Sequence, residues 1–236
     1  MSKPSLPRPK VPRVTSHSRR QQYSASTRRA LVDTAEKLFT ENGYAATSLD
    51  TIVAGTRVTK GALYHHFNGK ADLFQAVFER IEERASKSIK KALRSEKNPW
   101  DKAAAGLRAF LQVVQTPEYR RIVMQEGPAV MGYTRFREQE ERNTFDLVGE
   151  IVSSVLDREK LGFDQPMIDT FTQIFFGAMS AAGESVSESA DPAAASTRVE
   201  TAIAFIMAGL RQSLESVTGE TKSAPPADEA EHAGSD

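Results

Sequence analysis

The chain has 236 residues with 31 basic and 31 acidic side chains, so its formal net charge is zero, and its 39% apolar and 26% charged residues suit a folded globular protein. It contains no cysteine, which excludes disulfide scaffolds, thiolate metal sites and cysteine nucleophiles. Its longest uncharged stretches, 172–183 and 201–210, fall short of the roughly 20 apolar residues of a bilayer-spanning helix, so no membrane span is expected.

The charge is unevenly distributed. Residues 1–29 carry Lys3, Arg8, Lys10, Arg13, Arg19, Arg20, Arg28 and Arg29 with no acid, and Pro4, Pro7, Pro9 and Pro12 remove backbone donors. Residues 1–26 therefore read as a disordered basic arm, suited to phosphates or an adjacent minor groove. Residues 219–236 carry Glu220, Asp228, Glu229, Glu231 and Asp236 against Lys222 and read as a disordered acidic tail.

Between the tails the apolar period is helical, and the fold class is all-α. Thr27 is placed to cap a first helix bearing Ala30, Leu31, Ala35, Leu38 and Phe39 on one face, and Gly43 to end it. Ser48 caps a second helix to about residue 56, and Thr59 caps a third to about residue 67, with only Arg57 and Val58 between them. A fourth begins near Lys70 with Leu73, Phe74, Val77, Phe78 and Ile81 at helical spacing and turns basic over 87–94. After Asn98-Pro99 the pattern predicts helices over 100–115, 119–125 and 130–156. Two final helices, 165–187 and 192–217, are apolar over much of their circumference and need cover on two sides. They predict a homodimer seam drawing on Phe171, Phe175, Ala178, Ala182, Ile203, Phe205, Ile206 and Leu210.

The three short helices of residues 27–69 have helix-turn-helix spacing, which makes the third helix the reader of a DNA groove. Ile52, Val53, Val58 and Leu63 are spaced to pack the pair, leaving Thr59, Lys60, Gly61, Ala62, His65 and His66 outward. Lys60 suits a phosphate or a guanine edge, Gly61 and Ala62 allow close approach and thymine-methyl contact, and Tyr64 and the imidazoles can bond the DNA backbone.

The run Thr59-Lys-Gly-Ala-Leu-Tyr-His-His-Phe67, followed by Asn68-Gly-Lys70-Ala-Asp-Leu-Phe74, resembles the DNA-binding signature of TetR-family transcriptional regulators. The resemblance covers residues 27–77 and implies DNA contacts at Thr47, Ser48, Thr59, Lys60, Gly61, Ala62, Tyr64, His65 and His66, with Lys70 as a phosphate-binding lysine. Arg57 stands where that family usually has glycine and would add a cation near the DNA. It further implies that residues 70–218 form a helical ligand-binding and dimerisation domain. The expected protein is a cytoplasmic homodimeric repressor, released from a palindromic double-stranded DNA operator by a small-molecule effector. A regulator controlled by a protein partner, or by no ligand, is the alternative.

Aromatic and methionine content favours an apolar or aromatic effector, with candidate pocket residues Trp100, Phe110, Tyr119, Met124, Met131, Tyr133, Phe136, Asn143, Gln173 and Phe176. Enzyme chemistry finds no support, and no cofactor or metal is expected. His17 and His232 lie in the tails, while adjacent His65 and His66 point about 100° apart on a helix and are poorly placed to share a metal.

Overall fold

The computed structural model describes residues 16–140, 144–158 and 162–223, in which all regular structure is helical. The chain divides into two compact units, residues 1–77 and 78–236.

The first unit contains α1 (Ser16–Ala46), α2 (Leu49–Ala54), α3 (Lys60–His66) and the start of α4 (Lys70–Arg94). Thr27 does not cap α1, which begins eleven residues earlier. Residues 21–29 contain neither proline nor glycine, so nothing stops the helix from growing N-terminally, and the expected arm is helical over 16–26. The rest of the arm lies outside the described residues. Gly43 does interrupt the helix, at φ 80° and ψ 169°, a backbone that favours glycine. Ser48 and Thr59 cap α2 and α3 as expected, accepting from the Thr51 and Ala62 amides.

Leu31, Phe39, Ile52, Leu63, Leu73, Phe74 and Val77 are fully buried and hold the four helices together. Val53 and Val58 pack only in part. Within this core, the rings of Phe39, Tyr44 and Phe74 meet pairwise at 5.2–5.8 Å, two of the pairs edge to face.

The second unit holds the rest of α4, α5 (Pro99–Val114), a π-helical segment (Tyr119–Glu126), α6 (Gly127–Met131), α7 (Tyr133–Glu140), α8 (Asp146–Arg158), α9 (Gln165–Glu188) and α10 (Pro192–Ser223). Asn98 caps α5 and Asp164 caps α9, each followed by a proline that lacks the amide a first turn leaves unbonded. The single helix expected over 130–156 is corrected to three elements, because Gly132 adopts φ 83° and ψ 145° and ends α6 there. Gly183 lets α9 approach α5 closely: a Cβ there would stand 3.0 Å from Cζ of Phe110.

The stretch Pro192–Ser216 of α10 reaches the length and apolar composition of a bilayer-spanning helix, but one such helix does not indicate a membrane protein. Only 11% of that window is buried within the chain, with Phe205 82% and Ile206 59% exposed.

Candidate nucleic-acid interface and ligand cavity

Helix α3 is two turns long and is fixed from both sides. Thr59 caps its start, Leu63 is buried, and the Phe67 amide closes its end on the Leu63 carbonyl. The opposite face presents Lys60, Gly61, Tyr64 and His65 to solvent, with Ala62 and His66 half-buried. A Cβ at Gly61 would meet nothing within 4 Å, so this glycine leaves open space for a close approach from outside rather than relieving a clash within the protein. Ser48 and Arg57 are exposed beside it, at the start of α2 and in the turn between the two helices.

Lys60 on this face already has a partner. Lys60 Nζ lies 2.6 Å from the Asp50 carboxylate, whose hydrogen bond and charge raise the lysine pKa above its ordinary value. Phosphate would thus compete with an acid from α2 that the sequence analysis did not single out. His66 titrates below the usual histidine range, first because it is partly buried, then because His65 and Arg28 repel its proton. The Arg28 guanidinium sits 5.2 Å from the centre of the Phe67 ring, which ties α1 to the end of the reading helix.

Two of the expected DNA contacts also hold the fold together. Thr47 is buried, and its hydroxyl donates to the Gly43 carbonyl at 2.8 Å, closing the break after α1. Lys70 Nζ donates to the carbonyls of Tyr44 and Thr47 at 2.7 and 2.9 Å and lies 4.1 Å from the Tyr44 ring centre. It clamps the α1–α2 connection, joining the Thr47 amide as a second donor to the Tyr44 carbonyl.

In the second unit, α4, α5, α8, α9 and α10 enclose a cavity of about 110 Å³. Its walls include Ile89, Leu107, Leu147, Ile151, Val155, Met179 and Met207, and among the described residues no charged side chain lines it. Of the residues expected to line a pocket, Trp100 and Phe110 do so.

Tyr119, Met124, Met131, Tyr133, Phe136, Gln173 and Phe176 do not. Tyr119 is core, Tyr133 is 72% exposed after the break at Gly132, and Gln173 is exposed on the outer side of α9. Met124 approaches Gly183 and Met131 is half-buried at the end of α6. Phe136 packs on Phe78, and Phe176 lies between Phe145 and the Arg137 guanidinium. Asn143 lies outside the described residues.

Four residues expected at a dimer seam, Phe171, Phe175, Ile203 and Leu210, line this cavity, and Ala182 is buried within the unit. Ala178, Phe205 and Ile206 are exposed. Helices apolar all round serve two faces, and periodicity alone does not say which face looks inward. The α8 wall was missed for a related reason: its apolar positions look like an ordinary amphipathic stripe.

Comparison with known proteins supports both units. Residues 31–77 match the profile of the bacterial regulatory proteins of the tetR family, and residues 100–210 match a tetracyclin repressor-like C-terminal domain. The chain is 28% identical over 174 residues to the transposon Tn10 TetC protein of Escherichia coli, covering 72% of this chain and 87% of that protein. It is 31% identical over 105 residues to the transcriptional regulator AcrR of Shigella flexneri, spanning 44% of this chain and about half, 49%, of the relative. Among solved structures, a TetR-family regulator from Pectobacterium atrosepticum superposes with a TM-score of 0.70 at 26% identity, over 80% of this chain and 96% of that one.

Proposed function

Because the chain belongs to the TetR family of bacterial transcriptional regulators, which bind DNA through a helix-turn-helix and are not enzymes, we propose that it is a homodimeric repressor released from its operator by a small, neutral, apolar ligand. The observation that carries the DNA-binding half is the outward face of α3, where Lys60, Gly61, Tyr64 and His65 stand clear of the core. Ser48, Thr59, Arg57, Ala62 and His66 surround them and supply further donors and apolar contact. Two such helices in a dimer would read half-sites about 34 Å apart, which requires an approximately palindromic operator. DNA binding places the work of the protein in the cytoplasm.

The uncharged cavity supports the ligand half. Its volume of about 110 Å³ is of the order of the apolar cavity of about 150 Å³ that holds benzene, so the ligand it suits is no larger than a single ring. A carboxylate or sugar would lose its hydration there without gaining a partner. The ligand acts only by binding the DNA-incompetent arrangement more tightly. Helix α4, which starts at Lys70 and contributes Ile89 to the cavity wall, is the element through which occupancy would be felt.

The test is selection of bound genomic fragments followed by footprinting at two salt concentrations. A short, nearly palindromic footprint is expected, whereas diffuse binding without preferred sites would overturn the operator reading. Neutral monocyclic aromatics such as toluene should raise thermal stability by about 2.7 kcal/mol at a hundredfold excess over Kd. The small volume of the cavity favours one second reading, a ligand-independent or partner-controlled regulator, which predicts no stabilisation by any such probe.

A further inference from the structure

Helices α4, α5 and α8 form a polar groove of about 450 Å³ beside the apolar cavity. Lys90 and Arg94 enter it from successive turns of α4, Lys102 enters from α5, and Glu150 of α8 is the one acid among its described lining residues. Three cations therefore face one carboxylate. Among the described residues no ion pair engages Lys90, Arg94 or Lys102. Lys90 and Arg94 have a local reason to be basic, since they lie toward the C-terminus of α4, where the helix dipole favours cations. Lys102 has none: it is the fourth residue of α5, near a helix start that disfavours positive charge. Its convergence with the other two points to an anionic occupant.

We propose that the acidic segment at residues 228–231 of this chain's own C-terminal tail docks in the groove. The tail leaves from the right place. Leu214 of α10 packs with Trp100 and Val155, and their chain neighbours Pro99 and Ser154 line the groove. Ser223, the last described residue, lies nine residues further along the helix, a travel of about 14 Å. Pro225 and Pro226 forbid continuation of the helix. The five residues 224–228 span up to about 17 Å when extended, enough for the chain to double back and deliver Asp228, Glu229 and Glu231 to the cations. Residues 224–236 contain four acids and neither lysine nor arginine, so the charge is complementary.

The test uses the full chain, unlabelled and nitrogen-15-labelled protein being refolded together and treated with a zero-length carbodiimide that joins carboxylates to amines in contact. The expected result is Asp228, Glu229 or Glu231 joined to Lys90 or Lys102 within chains of one isotope, in excess over exposed Lys91 and Lys97. Those products should be lost in 1 M NaCl, where the screening length falls to about 3 Å. Products of mixed isotope would assign the groove to a neighbouring copy's tail and overturn the proposal. Equal joining to Lys91, Lys97 and Lys222 would overturn it in favour of a free tail. As a second measure, Lys102→Glu with an unchanged melting curve should also remove the products at Lys90, and their persistence counts against docking.

Discussion

Lys70 illustrates how a residue's role follows from the acceptors around it. A half-buried ammonium on two carbonyls and an aromatic face stabilises the turn after α1. Lys70→Met should lower unfolding free energy by about 1–2 kcal/mol in urea titrations made without DNA, because hydrogen bonds from charged donors contribute on that order. If Lys70 serves phosphate alone, that variant will unfold like the parent. His66 makes a second prediction at this scale. Its folded pKa is depressed by burial and by His65 and Arg28, so the unfolded chain binds more protons as pH falls through the ordinary histidine range. Stability should therefore be fully present above about pH 6.5 and decline below it, and His66→Gln should flatten that part of a Tm-against-pH curve. A variant curve parallel to the parent's would remove the assignment.

At the scale of elements, two glycine breaks decide where helices stop. Gly43 ends the hydrophobic stripe of α1 and aims the chain into α2, and Gly132 separates α6 from α7. No atom lies within 4 Å of a Cβ built on Gly132, so Gly132→Ala meets only backbone strain at φ 83°. It should cost about 1 kcal/mol in chemical denaturation, with α-helical signal unchanged. Gain of helical signal with no loss of stability would mean that the two helices fuse, as periodicity over 130–156 first suggests. Arg28 and Arg29 follow the basic arm on exposed positions of α1, and Arg28 meets Phe67 at the end of the reading helix. A role for the basic arm in DNA affinity predicts that deletion of residues 1–20 gives a flatter dependence of log K on log salt.

For the whole molecule, the unsolved element is the outer face of α9 and α10. Ile174, Phe205 and Ile206 are exposed large apolar side chains on helices whose other faces already close a cavity. In the proposed homodimer a second copy would cover that surface isologously. Phe205→Asp should weaken the dimer by at least about 2 kcal/mol, roughly thirtyfold in Kd by sedimentation, and with it the paired half-site footprint. Unchanged association would move the interface elsewhere.

Much of this was legible in residue order. The α2 and α3 caps at Ser48 and Thr59, the break at Gly43, the inward Leu63 and Phe67 and the outward Lys60, Gly61 and His65 all follow from side-chain chemistry acting within a few residues along the chain. Such interactions are local, and a sequence states them directly. Tertiary structure alone decided the rest. That Lys70 meets carbonyls depends on Tyr44 and Thr47, which lie 26 and 23 residues earlier. Whether Phe171, Phe175, Ile203 and Leu210 face a cavity or a partner depends on where α5 and α8 pack. Periodicity marks a side chain as apolar and gives its angle around the helix, but the neighbour it meets is set by contacts far apart in sequence, which no local pattern encodes.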